Sequence, residues 1–437
     1  MREGLTPSGP APAGRLRSIL GGTLGNLVEW YDWYAYSAFS LYFAAAVFPP
    51  GGRTAQLLSA AAVFAVGFLM RPLGGWLLGW YADRRGRRAA LTLSVLLMGG
   101  GSLLAAATPT YAAAGWLAPA LLVLARLVQG LSVGGEYGAS ATYLSEMAGA
   151  RRRGFWSSFQ YVTLIAGQLL ALGVLLALQQ ALDARALGAW GWRVAFALGA
   201  AAAFGVRALR GGLDETPAFY ASAGAGAATP RSPLASLRAL RGHPRAVATV
   251  VGLTAGGTVM FYTFTTYAQK YLVNTAGLAP AAATRASALA LALFAAVQPL
   301  VGALSDRVGR RPVLVAFGVG GTLLTVPLLG TLGRARTAGE AAAWLVAALL
   351  VTSGYTAINA VVKAELFPAA VRGIGVGFPY AVTVALFGGT AEYLALWARQ
   401  AGREAWYGWY VTALVAGSLA VYVTMPETRD AGAMRDG

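Results

Sequence analysis

Apolar runs of about 20 residues or more recur along the chain, separated by short polar segments, and each is long enough to cross a bilayer as a helix. The runs fall at residues 19–48, 56–80, 89–109, 116–145, 155–181 and 190–210, then at 246–272, 282–305, 312–332, 341–367, 373–398 and 406–425. A polar segment at 211–245 divides them six and six. It holds Asp214-Glu215-Thr216-Pro217 and a low-complexity stretch from Ala221 to Thr229. The pattern predicts an all-α membrane protein of twelve transmembrane helices, because a helix satisfies its own backbone in lipid. The expected order is an N-terminal tail (1–18), a six-helix bundle (19–210), a cytosolic linker with little fixed structure at its centre (211–245), a second six-helix bundle (246–425) and a C-terminal tail (426–437).

The halves also repeat in sequence. Gly79-Trp-Tyr-Ala-Asp83-Arg84-Arg-Gly86-Arg87-Arg88 recurs as Gly302-Ala-Leu-Ser-Asp306-Arg307-Val-Gly309-Arg310-Arg311, a displacement of 302 − 79 = 223. Glu146 stands seven residues before Arg153-Gly154, and Glu365 seven before Arg372-Gly373, a displacement of 365 − 146 = 219. Two features repeating at nearly one interval imply a duplicated chain, hence two pseudo-symmetric bundles with parallel halves, an architecture used by secondary transporters.

Composition narrows the class. The chain is 57% hydrophobic and only 12% charged, with a mean hydropathy of +0.58, which excludes an ordinary soluble domain. There are no cysteines, so disulfides, thiol catalysis and cysteine metal sites are excluded, and the single His243 beside Pro244 gives no basis for a metal site. No metal or other cofactor is expected. The net charge of +17 does not point to nucleic acid. The basic residues gather in segments on alternate sides of the apolar runs, the positive-inside pattern, which places both termini in the cytosol. The N-terminus shows no secretory cleavage pattern, so the first run is expected to be retained. No nucleophile–base pairing, metal cluster or Walker-type loop occurs, and neither an enzyme nor an ATP-driven pump is expected.

Ionisable residues inside spans cost about 2.5–3.5 kcal/mol each at the helix centre, and each asks for a reason. They are Glu29 and Asp32 in the first span, Arg71 in the second, Arg126 and Glu136 in the fourth, Lys270 in the seventh, Lys363 in the tenth and Glu392 in the eleventh. Of 34 basic residues only Lys270 and Lys363 are lysine, which suggests that a compact ammonium is wanted there. Snorkelling lysines and a purely structural ion-pair network are the alternatives. The repeated cassette reads as a tight cytosolic turn. Asp83, Arg87, Glu146 and Arg153 in one half, with Asp306, Arg310, Glu365 and Arg372 in the other, are expected to latch the cytosolic face, Glu146 level with Arg372 and Glu365 with Arg153. A plain topology signal is the alternative. Aromatics cluster at Trp30–Tyr36 and Phe261–Tyr267, from which Tyr262 and Tyr267 are candidate substrate contacts. Gln160, Gln168 and Gln298 are polar candidates, although packing between helices is the simpler role for each.

These residues resemble a known family. The double cassette resembles the signature loop of the major facilitator superfamily, and Arg126-Leu-Val-Gln129-Gly130 resembles its fourth-helix motif. Gly25-Asn26-Leu-Val-Glu29-Trp30-Tyr31-Asp32, Phe68-Leu-Met-Arg71-Pro72-Leu-Gly-Gly75 and Gly130-Leu-Ser-Val-Gly-Gly-Glu136-Tyr137-Gly resemble the metabolite:proton symporter branch. Phe159–Leu164, Phe261–Gly277 and Lys363-Ala364-Glu365 before Phe367-Pro368 are most similar to its carriers of α-ketoglutarate (2-oxoglutarate). The short tail after Met425 argues against the osmosensory proline/betaine members.

The resemblance implies a monomeric, proton-coupled symporter in the lipid bilayer of the bacterial cytoplasmic membrane, importing 2-oxoglutarate or a similar dicarboxylate by alternating access. Citrate, shikimate or a zwitterion are alternative substrates, and a non-transporting receptor or scaffold is the alternative of another class. Arg71, Arg126, Lys363, Lys270, Tyr262, Tyr267 and Gln160 are then expected to bind the small-molecule carboxylate. Glu29, Asp32 and Glu136 are expected to couple protons, with Glu29 and Asp32 pairing Arg71 and Arg126 until protonation frees a guanidinium. Uptake of a dianion against an inside-negative potential implies at least two protons.

Overall fold

The structure is a computed structural model that describes residues 12–85, 87–147, 150–210, 233–368 and 371–431. Within these residues it is helical throughout, without a strand. Among the described residues ten helical stretches are long and apolar enough to cross a membrane. Pro12–Val47 and Arg87–Ala107 complete the twelve expected spans.

The remaining spans of the first half are Arg53–Leu69 with Arg71–Arg85 (second), Leu117–Met147 (fourth), Arg153–Ala181 (fifth) and Trp192–Arg210 (sixth). Those of the second half are Pro244–Tyr262 with Ala268–Asn274 (seventh), Pro280–Val308 (eighth), Arg310–Leu332 (ninth), Ala338–Thr356 with Asn359–Glu365 (tenth), Arg372–Thr383 with Ala391–Gln400 (eleventh) and Glu404–Thr424 (twelfth). In the segment between the halves Pro233–Ala239 forms a short helix, at the end of a stretch expected to have little fixed structure. Residues 211–232 lie outside the described residues.

Several spans are broken, for local reasons. The second divides at Met70, two residues before Pro72, whose ring nitrogen cannot continue the hydrogen-bond ladder. The seventh and eleventh each contain a π-turn, Thr263–Tyr267 and Val384–Gly388, which re-aims the outer part of the helix. These breaks position the site, because polar side chains follow immediately after each.

Tight packing comes from small residues. In the first half a Cβ at Gly130 would collide with the Gly67 carbonyl, and one at Gly134 with the Arg71 carbonyl, so the second and fourth spans meet backbone to backbone. Between the halves the fifth and eighth spans form the most extensive contact. A Cβ on Gly302 there would lie 2.5 Å from the Gly154 carbonyl oxygen.

Candidate functional site between the halves

The break at Met70 delivers Arg71 to the middle of the protein, where it is only 4% exposed. Its guanidinium carbon lies 4.0 Å from the Phe68 ring centroid, 4.3 Å from that of Trp33 and 5.0 Å from that of Trp30. Such desolvated cation–π contacts are worth about 2 kcal/mol. They leave donors over: among the described residues Nε and Nη2 have no hydrogen-bond partner. Each buried donor left unsatisfied costs about 1–3 kcal/mol, so an acceptor entering here recovers that energy. Tyr34, Tyr262 and Tyr380 are close enough to feel the Arg71 charge. Tyr262 packs edge-on to Phe68, with centroids 5.3 Å apart, joining the seventh span to the second.

The second half brings its own cation to one of these tyrosines, Tyr380. Lys363 is fully buried, with Nζ 3.7 Å from the Tyr380 ring centroid. Tyr161 in the fifth span, next to the buried Gln160, packs edge-on against Phe261. Arg71, Lys363 and Tyr262 are thus the predicted substrate contacts that the fold gathers around the junction of the halves, and Gln160 is buried in the fifth span.

Arg126 is placed differently. It is fully buried within the first half, with Nη1 donating to Gln129 Oε1 at 2.6 Å and Nη2 to the Trp33 carbonyl at 3.1 Å. Its guanidinium carbon lies 4.1 Å from the Tyr36 ring centroid and 4.6 Å from that of Trp33. Gln129 Nε2 donates to Asp32 Oδ2 and, at 3.1 Å, to Ser102 Oγ. The direct Asp32–Arg126 pair expected from sequence is therefore replaced by a bridge. Gln129 lies three residues after Arg126, on the same helical face, and its amide presents an acceptor to one partner and a donor to the other. Among the described residues Asp32 Oδ1 has no hydrogen-bond partner; it faces Gly199, where a Cβ would come within 2.5 Å of it. Glu29 Oε1 accepts from Ser94 Oγ and Ser132 Oγ, each at 3.1 Å. The side chain of Glu136 lies outside the described residues.

Lys270 and Tyr267 do not join the central group. Both follow or belong to the π-turn of the seventh span, which carries them outward. Lys270 Nζ pairs with Glu392 Oε1 at 2.9 Å and donates to Ser37 Oγ at 2.7 Å and the Ser37 carbonyl at 2.8 Å. Ser37 Oγ in turn donates to Glu392 Oε2 at 2.8 Å. Two helices of the second half thereby grip the first span. Tyr267 donates to Glu404 Oε1 at 3.3 Å, within a collar in which Thr275 donates to the same oxygen at 2.6 Å and Arg399 pairs with Glu404 at 3.3 Å.

On the opposite side the second cassette joins the two halves. Asp306 accepts from the backbone N–H of Gly154 at 2.8 Å and of Phe155 at 2.9 Å, placing a carboxylate at the N-terminus of the fifth span. Arg310 Nη1 pairs with Asp306 at 2.7 Å, and Nη2 with Glu365 Oε1 at 3.3 Å. Thr428 donates to Glu365 Oε2 at 2.6 Å, and Arg153 is near enough to act on the Glu365 charge. Arg372 Nε donates to the carbonyls of Ala364 and Phe367, both at 3.1 Å. Gly309 has φ +102°, a conformation that favours glycine, and leaves room for Glu427, which accepts from Arg310 N at 2.9 Å and Arg311 N at 3.0 Å. The side chains of Asp83, Arg87 and Glu146 lie outside the described residues.

Sequence reasoning missed Gln129, Ser37, Tyr380 and Glu427. Gln129 stood in the fourth-helix motif, beside the arginine it serves. Glu427-Thr428 repeats Glu215-Thr216 of the central segment at a displacement of 427 − 215 = 212, a third copy of the duplication signal. Ser37 and Tyr380 carried no signal of their own.

Comparison with known proteins agrees with this architecture. The family model for sugar (and other) transporters matches residues 19–236 and again 227–433, once for each half. The alpha-ketoglutarate permease of Escherichia coli (strain K12) is 52% identical over 398 residues, 91% of this chain and 90% of that protein. The citrate-proton symporter of Klebsiella pneumoniae is 32% identical over 387 residues, 87% of this chain and 84% of that protein. The solved structure of the xylose transporter XylE from E. coli, partially occluded and inward open, covers 95% of this chain and 98% of its own with a TM-score of 0.72. At 20% identity that likeness concerns fold alone. Two matched halves, twelve spans and buried charges at their junction agree, and the chain belongs to the sugar (and other) transporter family of the major facilitator superfamily, as a multi-pass membrane transporter and not an enzyme.

Proposed function

We infer that this protein is a proton-coupled symporter importing 2-oxoglutarate, or a dicarboxylate close to it, by alternating access across the bacterial cytoplasmic membrane, as a monomer with both termini cytosolic. The observation that carries this reading is Arg71. A buried guanidinium, held by aromatic faces and with Nε and Nη2 lacking a partner among the described residues, is prepared for a carboxylate. Lys363, against the Tyr380 ring, is suited to the second carboxylate of a dianion. The relative that is 52% identical is named for alpha-ketoglutarate, in keeping with that chemistry. Tyr262 and Tyr380 can donate hydroxyls to the substrate's neutral oxygen.

Coupling follows from charge. A dianion entering with fewer than two protons works against an inside-negative potential at about 2.3 kcal/mol per charge per 100 mV, so at least two protons are required. Asp32 is suited to carry one. Its Oδ2 is linked through Gln129 to Arg126, whose guanidinium rests on the Trp33 ring beside Arg71. Protonation would weaken that link and alter the cationic environment of the site. The Asp306–Gly154 and Lys270–Glu392–Ser37 groups serve as the two gates.

The test is uptake of labelled 2-oxoglutarate into proteoliposomes with and without an inward proton gradient, competed with unlabelled citrate and shikimate. Gradient-driven accumulation, competed only by close dicarboxylates and lost in Arg71→Ala, is expected. Uptake indifferent to the gradient, or fully displaced by citrate alone, would sink it.

A further inference from the structure

We propose that Glu392 is a second protonation site of the transport cycle, working in the second half as Asp32 does in the first, and that Ser37 sets its proton affinity according to whether the outer face is closed. This rests on the symport reading above.

The geometry is specific. Glu392 is 3% exposed and Lys270 fully buried, so this is a charge pair removed from both water and lipid. Such a pair is costly to hold in a low-dielectric interior, and replacing it with apolar residues is often neutral or stabilising. A purely structural role therefore explains it poorly. Each member sits just past a π-turn, Lys270 after Thr263–Tyr267 and Glu392 after Val384–Gly388, so two irregular helices are bent to bring the pair together. π-turns of this kind recur at functional positions.

Both groups share a partner in the other half. With the outer face closed, Ser37 donates to Glu392 Oε2 and accepts from Lys270 through its hydroxyl and its carbonyl. All three contacts stabilise the ionised pair. Opening the outer face withdraws the first span, so Glu392 loses a donor and Lys270 two acceptors. The carboxylate then binds a proton more readily from the external phase. Closing the face restores the contacts and expels that proton once the inner side opens. A proton can drive a conformational cycle only if its affinity differs between the states, and Ser37 supplies that difference.

Other groups that face Glu392 do not substitute for it. Among the described residues, Tyr36 of the first span and Tyr407 of the twelfth also sense its charge, and Arg126 lies beyond the Tyr36 ring. A crevice between the first, fifth, seventh and eighth spans is lined by Ser37, Gln168, Thr265, Thr266, Gln269 and Ser287. On its wall the buried Gln168 Oε1 and Ser287 Oγ have no hydrogen-bond partner among the described residues, so both are available to a hydrogen-bonded chain that ends at Ser37.

The experiment compares wild type with Glu392→Gln, whose neutral amide mimics the protonated acid, in proteoliposomes with a fixed pH gradient and a potassium-diffusion potential. Losing one proton per cycle changes the net charge moved by one. A potential of 100 mV, inside negative, should then separate the accumulation ratios of variant and wild type by about 50-fold relative to zero potential. Exchange of internal for external 2-oxoglutarate should persist in the variant, because exchange needs no net proton movement. An identical potential response in the two proteins overturns the proposal. If exchange is also lost, Lys270→Met with Glu392→Gln removes the stranded ammonium. Exchange recovered with the altered potential response supports the proposal, and a folded double variant still without exchange overturns it. Failure of wild type itself to accumulate substrate with protons would instead remove the symport reading on which this rests.

Discussion

Asp306→Asn should open the face that carries the cassettes. The carboxylate accepts two backbone N–H groups, from Gly154 at 2.8 Å and Phe155 at 2.9 Å, and pairs with Arg310 at 2.7 Å. The asparagine side chain keeps one acceptor oxygen and turns an N–H toward the second donor. It also removes the negative charge from the N-terminus of the fifth span. A hydrogen bond to a charged group contributes about 1.5–3 kcal/mol, and an anion at a helix N-terminus about 0.3–1 kcal/mol. Arg310 keeps Ser305 and Glu365, so part of the loss is offset. A net destabilisation of about 2 kcal/mol falls on the closed face alone, because Asp306 and Gly154 belong to different halves. That is a shift of about 30-fold in the open population. The chain has no cysteine, so a single reporter can be introduced without background. Ser158 is fully buried beside Gly302 at this contact. With Ser158→Cys as the reporter, the labelling rate by a membrane-impermeant maleimide applied from that side should rise about 30-fold in Asp306→Asn. A rate within threefold of the Ser158→Cys parent would refute the latch.

Two further outcomes follow from contacts between the halves and around the arginines. At Gly389 a Cβ would lie 2.6 Å from the Phe68 Cβ, so Gly389→Val overpacks the outer closure at a cost of about 1–3 kcal/mol. Labelling of a Ser287→Cys reporter from outside should rise at least fivefold, and an unchanged rate would mean that this contact does not close the face. Trp33 is fully buried and its ring lies against both Arg71 and Arg126, so Trp33→Ala should cost about 3–5 kcal/mol from the cavity alone. A melting temperature in detergent lowered by several degrees, with weaker substrate affinity, is expected. Melting as in wild type would show that the guanidiniums do not depend on that ring.

Much of this protein is written locally in the chain. The length and spacing of the apolar runs fix the spans, because a helix in lipid must satisfy its own backbone. The repeated cassette and the paired Glu/Arg spacing disclose the duplication. Isolated charges within apolar runs single out Arg71, Arg126, Lys270, Lys363 and Glu392 as groups that need partners, because the membrane penalises them. What these signals lack is partnership. Nothing in the spacing says that Gln129 stands between Asp32 and Arg126, since the bridge depends on how the first and fourth spans rotate against each other. Nor does the sequence separate the two lysines. The π-turn of the seventh span turns Lys270 outward to Glu392 and Ser37, while Lys363 stays against Tyr380 at the centre. Pairings between the halves join residues hundreds of positions apart, Ser37 with Glu392 and Gly154 with Asp306, and only the packing of one bundle on the other decides them. The sequence by itself determined which groups are too costly to bury without purpose; the tertiary structure decided which of them face each other, because that depends on helix rotation and breaks that no local pattern encodes.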